Sequence, residues 1–161
     1  VSVERIYLDT SVLLSVFLGN AQPYYDGAMA AVSGAQAGDF TPVISALVVA
    51  EAVGAPNVRA VQGVSRSGCK AKQRKAHEFM DGLGALYVEL GERHGRRAAE
   101  LSQRWDLKGK DALHLAAAIE AGCQRMFSCD TDLLKVAGEI PDIKVVLPDW
   151  TRATLPLEGE G

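Results

Sequence analysis

The chain has no Cys-x-x-Cys pair, and its three cysteines, Cys69, Cys123 and Cys129, cannot all pair with one another. That excludes a disulfide framework and the thiolate spacing of a structural zinc site. The three histidines, His77, His94 and His114, stand far apart in sequence, so each reads as structural or solvated rather than as a ligand. No run approaches the roughly 18 uninterrupted apolar residues that span a bilayer. The opening Val1-Ser2-Val3-Glu4-Arg5 carries no signal-peptide core. The expected setting is therefore the cytoplasm, with no membrane partner. Internal repeats and linker-like breaks are also missing. Residues 1–150 accordingly read as one domain, and 151–161, rich in Gly, Pro and Glu, as a frayed tail.

What is present is an ordinary globular composition: 161 residues, 48% hydrophobic and 23% charged, with a net charge of −3. A chain of this size buries a core without staples. The mild acidity hides an uneven distribution. Twelve of the 17 basic residues fall between Arg59 and Lys110, and no acid occurs between Ala55 and His77. Arg59, Arg66, Lys70, Lys72, Arg74 and Lys75 all lie in that acid-free stretch. Such a segment either binds a polyanion or is simply a solvated surface.

Hydrophobic patterning and turn residues predict strands at 5–8, 41–44, 86–90, 125–128 and 143–147. Helices are expected at 12–18, capped by Thr10 and Ser11, and at 24–37, 46–53, 70–83, 92–105, 112–121 and 131–136. The third of these has Ser45 as its cap. Residues 54–69 read as a loop or a short irregular helix. Strands alternating with helices indicate an α/β domain with a mainly parallel sheet covered on both faces. In such sheets ligands collect at the carboxyl ends of the strands, where the strand order reverses.

Four acids stand out against apolar neighbours. Asp9 ends the first strand, Glu51 sits inside Ala46-Leu47-Val48-Val49-Ala50-Glu51-Ala52-Val53, Asp111 starts the most apolar helix, and Asp130, with Asp132 close behind, follows the fourth strand. Each has a plainer reading: Asp9 as a helix cap, Glu51 at a helix edge reaching water, Asp111 as a partner of the helix dipole, Asp130 and Asp132 as turn and cap residues. Together at one sheet edge, however, they would repel one another unless a cation lay between them. Oxygen-only ligation favours a hard ion, Mg²⁺ or Mn²⁺. Such an ion readies a water for phosphodiester hydrolysis and lets a phosphate approach the acids.

Four segments carry a resemblance to a known family. Ile6-Tyr7-Leu8-Asp9-Thr10-Ser11, Ser45-Ala46-Leu47-Val48-Val49-Ala50-Glu51, Lys110-Asp111-Ala112-Leu113-His114-Leu115-Ala116-Ala117-Ala118 and Phe127-Ser128-Cys129-Asp130-Thr131-Asp132-Leu133 resemble, in order and spacing, the motifs of PIN domains, the nuclease fold of VapC-type toxins. The resemblance spans 6–147. It implies a three-layer, Rossmann-like α/β/α sandwich with a five-stranded mainly parallel sheet. It also implies endoribonuclease activity dependent on one or two Mg²⁺ or Mn²⁺ ions, homodimerisation, and inhibition by a small antitoxin protein. Asp9, Glu51, Asp111 and Asp130 match the family's acidic quartet, and Asp132 a commonly acidic neighbour that joins the candidate metal ligands. Thr10 or Ser11 matches the hydroxyl that supports the first Asp. Ser128 stands where Thr is usual, keeping the hydroxyl, and Leu133 replaces a frequent aromatic.

The resulting expectation is RNA phosphodiester hydrolysis, with Asp9, Asp111 and Asp130 holding metal and Glu51 ligating it or orienting and deprotonating the attacking water. Arg59, Arg66, Lys70, Lys72, Arg74, Lys75 and Lys110 would track the RNA backbone. The basic segment itself matches no family motif. The main alternative is a PIN-fold RNA-binding or scaffold module that does not cleave. A phosphatase using Asp9 as a covalent nucleophile needs a second Asp two residues on, where this chain has Ser11. A phosphoacceptor receiver needs an acidic pair near the N-terminus and a Lys after a late strand, and neither is evident.

Overall fold

The computed structural model of the chain describes residues 2–151. The tail read from the sequence, apart from Thr151, lies outside the described residues. Five short strands, β1 (Arg5–Leu8), β2 (Thr41–Ser45), β3 (Leu86–Val88), β4 (Arg125–Phe127) and β5 (Lys144–Val146), form one sheet in the order β3-β2-β1-β4-β5. All four pairings are parallel, so the sheet is fully parallel. The central β1 has Ile6, Tyr7 and Leu8 with no exposure, as expected of a strand covered on both faces.

The helices are α1 (Thr10–Leu18), α2 (Tyr25–Gln36), α3 (Ala46–Gly54), α4 (Pro56–Arg59), α5 (Arg66–Asp81), α6 (Glu92–Trp105), α7 (Gly109–Glu120) and α8 (Thr131–Val136). The chain moves from β1 to β2 to β3 in one direction along the sheet, then crosses back to β4 and β5. With right-handed crossovers this places α1–α5 on one face and α6–α8 on the other. The mutual packing of α1, α3, α4 and α5, and separately of α6 with α7, agrees. The result is the three-layer α/β/α sandwich expected from the sequence.

Helix α7 packs so closely because its inner face is mostly alanine: Ala112, Leu115, Ala116, Ala117 and Ala118 are all fully buried. On α2, Gly34 lies under the Trp150 indole, where a Cβ would come within 2.4 Å of the ring. Trp150 packs against Phe40 with the ring centroids 4.7 Å apart and the rings tilted, and donates from Nε1 to Asp39, tying the end of the described chain to the sandwich.

Three local expectations are corrected. Asp9, not Thr10 or Ser11, caps α1, its carboxylate accepting from the Thr10 amide; both hydroxyl residues lie inside the helix and bond elsewhere. Ser45 occupies the cap position of α3 without a side-chain cap, because its hydroxyl is engaged by Tyr7. Helix α5 starts at Arg66 rather than 70, since Ser65 caps it by accepting from the Gly68 amide. The Ser and Gly residues there suggested a loop, and a cap residue of the same types starts a helix.

The topology fixes where ligands can gather. β1 sends its chain to one face and β4 to the other, so the sheet splits open at the carboxyl ends of these adjacent strands. Asp9 and Asp130 are the first and third residues past those ends. Helix α7 leads into β4 and so runs antiparallel to it, which brings its first turn, with Asp111, to the same edge.

A candidate metal and nucleic-acid site at the sheet edge

A cavity of about 610 Å³ opens at this edge, lined by Asp9, Thr10, Ser11, Glu51, Asp111, His114, Asp130 and Lys110 together with Leu14, Ala50 and residues 54–57. All four acids of the sequence-predicted quartet therefore line the same cavity, each from a different element. Lys110 is the one predicted RNA contact in the lining. Ser128 lies beneath it and is fully buried.

Asp9 is held on both oxygens. Oδ1 accepts from the Thr10 amide at 2.7 Å, and Oδ2 accepts from the Ser11 hydroxyl at 3.0 Å and the Ser128 hydroxyl at 2.7 Å. A carboxylate oxygen has about two lone-pair sites, so Oδ2 is filled and Oδ1 keeps room toward the cavity. Ser11 also accepts from the Cys129 amide, and Ser128 from the Asp130 amide, which fastens the β4–α8 turn to α1. Asp130 caps α8, its Oδ1 accepting from the amides of Asp132 and Leu133. The cap and cavity readings of Asp9 and Asp130 thus hold together.

Asp111 differs from its neighbours. It is 6% exposed, and no hydrogen bond or ion pair to its carboxylate occurs among the described residues. Burial raises its pKa above the ordinary aspartate value, and Asp130 and Asp9 push it further in the same direction against the opposing pull of Lys110 and His114. Glu51 shows the reverse. Burial pushes it up, but the hydrogen bond and charge of His114, the charge of Lys110 at 3.5 Å and the Thr10 hydroxyl outweigh burial and carry it below the ordinary glutamate range.

His114, read from the sequence as structural or solvated, belongs to the site. Its Nε2 hydrogen-bonds Glu51 Oε1 and lies 3.5 Å from Asp9 Oδ1, so one imidazole nitrogen spans two of the acids. A helical offset of three residues from Asp111 was the available signal, because i and i+3 share a helix face. The other two histidines are structural and solvated respectively: His94 is buried and accepts from the Gly91 amide at the start of α6, and His77 is exposed beside Asp81.

Asp132 does not line the cavity. It pairs with Lys108 at 2.8 Å and Lys135 at 3.3 Å, and the Lys108 hydrogen bond, with help from Lys135, holds its carboxyl below the usual range. Of the basic stretch, Arg59 donates to the Gly54 carbonyl and Lys72 to the Asn57 carbonyl, bracing the loop that forms one cavity rim. Lys70 and Arg74 line a separate shallow groove with Val53, Gln73 and His77. Arg66 and Lys75 are on α5 outside both.

The donor set suits a hard divalent cation: four carboxylates, with no thiolate in the lining and the one imidazole turned onto a carboxylate. An unpartnered, desolvated Asp111 beside two further acids is what such an ion would stabilise. Among the described residues no group of three His, Cys, Asp or Glu is already drawn together for a metal. No helix among them is long and apolar enough to cross a membrane.

Comparison with known proteins agrees with this architecture. A family profile described as the PIN domain matches residues 6–139. Among solved structures, a chain of a toxin–antitoxin complex from Klebsiella pneumoniae is similar at a TM-score of 0.60 and 20% identity, covering 89% of this chain and 97% of that one. Mycobacterium tuberculosis VapC20, described as a sarcin–ricin loop cleaving toxin, is similar at a TM-score of 0.60 and 18% identity, covering 81% of this chain and 94% of that one. No curated protein is a significant match.

Proposed function

Because the chain belongs to the PIN domain family, we propose that it is a divalent-metal-dependent endoribonuclease and the toxin of a VapBC-type toxin–antitoxin pair. The observation that carries the reading is Asp111: buried, unpartnered among the described residues, and pushed toward protonation by that burial and then by Asp130 and Asp9. A fold selected for stability alone would place an apolar residue or a counter-ion there. The two solved relatives, one from a toxin–antitoxin complex and one an RNA-cleaving toxin, support the biological role by likeness of fold.

In this reading Asp9, Asp111 and Asp130 hold Mg²⁺ or Mn²⁺, with Glu51 completing the set. When bound, the ion supplies Lewis acidity to the scissile phosphate and lowers the proton affinity of an attacking water. The chain's own residues do the rest. Asp9 stays fixed because the Ser11 and Ser128 hydroxyls and the Thr10 amide hold it. Glu51, with Oε1 occupied and Oε2 facing Lys110, orients the water and takes up its proton. Lys110 meets the phosphate charge at the cavity mouth.

RNA reaches the cavity along the α4–α5 side, where Asn57 lines the rim and Lys72 is bonded to it. Lys70 and Arg74 extend the positive surface beyond, with Arg66 and Lys75 on the same helix and Arg59 at the end of α4. These cations give salt-dependent, sequence-independent affinity. The protein acts in the cytoplasm as a homodimer, silenced by a small antitoxin protein.

The test is cleavage of a panel of structured RNAs with Mg²⁺ or Mn²⁺. Cleavage that stops in EDTA and in Asp111→Asn, with folding intact, supports the proposal. Full activity in either condition overturns it. Metal binding with no cleavage of any RNA would favour the non-cleaving RNA-binding module instead.

A further inference from the structure

We propose that His114 is the positioning residue for Glu51, set in place by a buried hydroxyl relay running from Ser45 through Tyr7. The inference deepens the nuclease reading and rests on it for its consequence, though not for its geometry.

Tyr7 has no exposure, yet its hydroxyl is fully used: it lies 2.7 Å from Ser45 Oγ and 2.8 Å from His114 Nδ1. Ser45 is also fully buried, and its hydroxyl is absent from the cap role that its position at the start of α3 would offer. Three buried polar side chains on β1, β2 and α7 therefore meet, Tyr7 and Ser45 wholly inside and His114 at the cavity lining. A buried hydroxyl without a partner costs about 1–3 kcal/mol, so the cluster is stable only as a connected set. Tyr7 and His114 also pack edge to face at 5.9 Å. The imidazole cannot rotate without breaking the Nδ1 bond, so its Nε2 is aimed at the cavity.

The donor is fixed at the cavity end. The Glu51 carboxylate only accepts, so Nε2 carries hydrogen and donates to it, while the Tyr7 hydroxyl hydrogen-bonds both His114 Nδ1 and Ser45 Oγ. Glu51 Oε1 thereby receives from both His114 and Thr10, which fills its two lone-pair sites. Oε2 is left facing the cavity, near Lys110. His114 also stands between Glu51 and Asp9, 3.5 Å from Asp9 Oδ1, so it sets the spacing of the two acids. Outer-shell partners of this kind orient a ligating carboxylate, and losing one typically lowers metal affinity or activity about 10–100-fold.

The experiment measures Mn²⁺ affinity of the full chain by calorimetry without RNA, alongside kcat and KM for RNA. His114→Ala should weaken Mn²⁺ binding about 10–100-fold and lower kcat while leaving KM unchanged. His114→Gln, whose amide nitrogen can occupy the Nε2 position, should recover most of the loss. Unchanged or tighter Mn²⁺ binding in His114→Ala, or no recovery with Gln, overturns the proposal. Should His114→Ala fail to fold, Tyr7→Phe decides: it keeps the ring and severs the relay, so it should weaken Mn²⁺ binding several-fold, and unchanged affinity overturns the proposal. In the metal-free protein, nitrogen-15 NMR should find a proton on His114 Nε2; a bare Nε2 overturns the relay. Wild-type protein that binds no Mn²⁺ would sink the nuclease reading and leave the NMR result to judge the relay. Wild-type binding with an indifferent His114→Ala sinks this inference alone.

Discussion

The cavity at the sheet edge and the groove along α6 are both lined by acids, but the two treat them differently. In the groove, of about 440 Å³, Glu92 faces Arg96, Glu100 faces Arg97 and Glu120 faces Arg93. Every acid there has a guanidinium, and the side chains are mostly solvated. At the sheet edge, Asp9 and Glu51 are held by hydroxyls, an amide, an imidazole and, for Glu51, Lys110 at 3.5 Å, and Asp111 by nothing among the described residues. The groove is what a solvated surface does with charge. In the cavity, backbone topology has gathered four acids around one lysine, Lys110, which pairs with Glu51 and leaves Asp111 without an ion pair among the described residues. Charge held against its own repulsion marks the place where an external cation is expected.

The sharpest way to break this contrast is to neutralise one acid in each region. Asp111→Asn or Asp9→Asn should lower RNA cleavage on the order of 10³-fold, and EDTA should do the same to the wild type. Glu120→Gln, in the groove, should leave cleavage unchanged. Gel-based cleavage of one RNA by all three proteins checks this. Equal losses in both regions would mean that the contrast is only structural.

A smaller effect is expected on the positive side of the cavity. Replacing Lys70 and Arg74 together with Glu should weaken RNA binding about tenfold at moderate salt. It should also flatten the salt dependence by roughly 0.7 for each phosphate of a single strand that the protein no longer neutralises. Filter binding with a catalytically dead Asp111→Asn background separates binding from cleavage. Unaltered affinity would return the α5 cations to the solvated-surface reading.

How far the site was legible follows from the kind of signal each residue carries. Asp9, Glu51, Asp111 and Asp130 were visible because a carboxylate amid apolar residues contradicts its surroundings, and the contradiction is local. The parallel sheet was visible for the same reason, since Ile6-Tyr7-Leu8 and Met126-Phe127 are short apolar runs ended by polar turns. His114 was not, because a histidine on an apolar helix is common in cores and its partners Tyr7, Ser45 and Glu51 are 107, 69 and 63 residues away, joined only by the fold. Asp132 misled in the opposite direction: sequence proximity to Asp130 suggested the cavity, whereas α8 turns its side chain toward Lys108 and Lys135. Helix starts failed where one residue type serves two ends, as with Ser65.

The contrast also predicts a stability difference that runs against function. Asp111 in the folded state has its pKa raised above the ordinary value of 3.8 by burial and by Asp130 and Asp9. The folded protein therefore holds more protons than the unfolded chain between those two values, and stability falls as pH rises through that window. Asp111→Asn removes the fall. Thermal melts in EDTA should show the variant and the wild type close together below the ordinary aspartate range, and the variant the more stable of the two at neutral pH. Glu51 contributes with the opposite sign, but it does so in both proteins and drops out of the difference. A variant less stable than the wild type at pH 7 would mean that Asp111 has a stabilising partner and that the like-charge account of the cavity is wrong.

The smallest effect belongs to the groove. Arg96 and Glu92 form an i,i+4 pair on α6 with both side chains about three-quarters exposed, at 76% and 77%. Exposed pairs of this spacing contribute only ~0.3–0.5 kcal/mol, because solvent screens the attraction and two long side chains lose freedom. Arg96→Ala should therefore lower stability by no more than about 0.5 kcal/mol, lose most of that difference in high salt, and leave RNA cleavage and Mn²⁺ affinity untouched. A neutral variant is what separates the two regions: removing charge from the groove changes almost nothing, whereas removing charge from the cavity raises stability and ends activity. If Arg96→Ala instead impaired cleavage, the groove would be coupled to the site through α7, whose far end carries Glu120 and whose first turn carries Asp111.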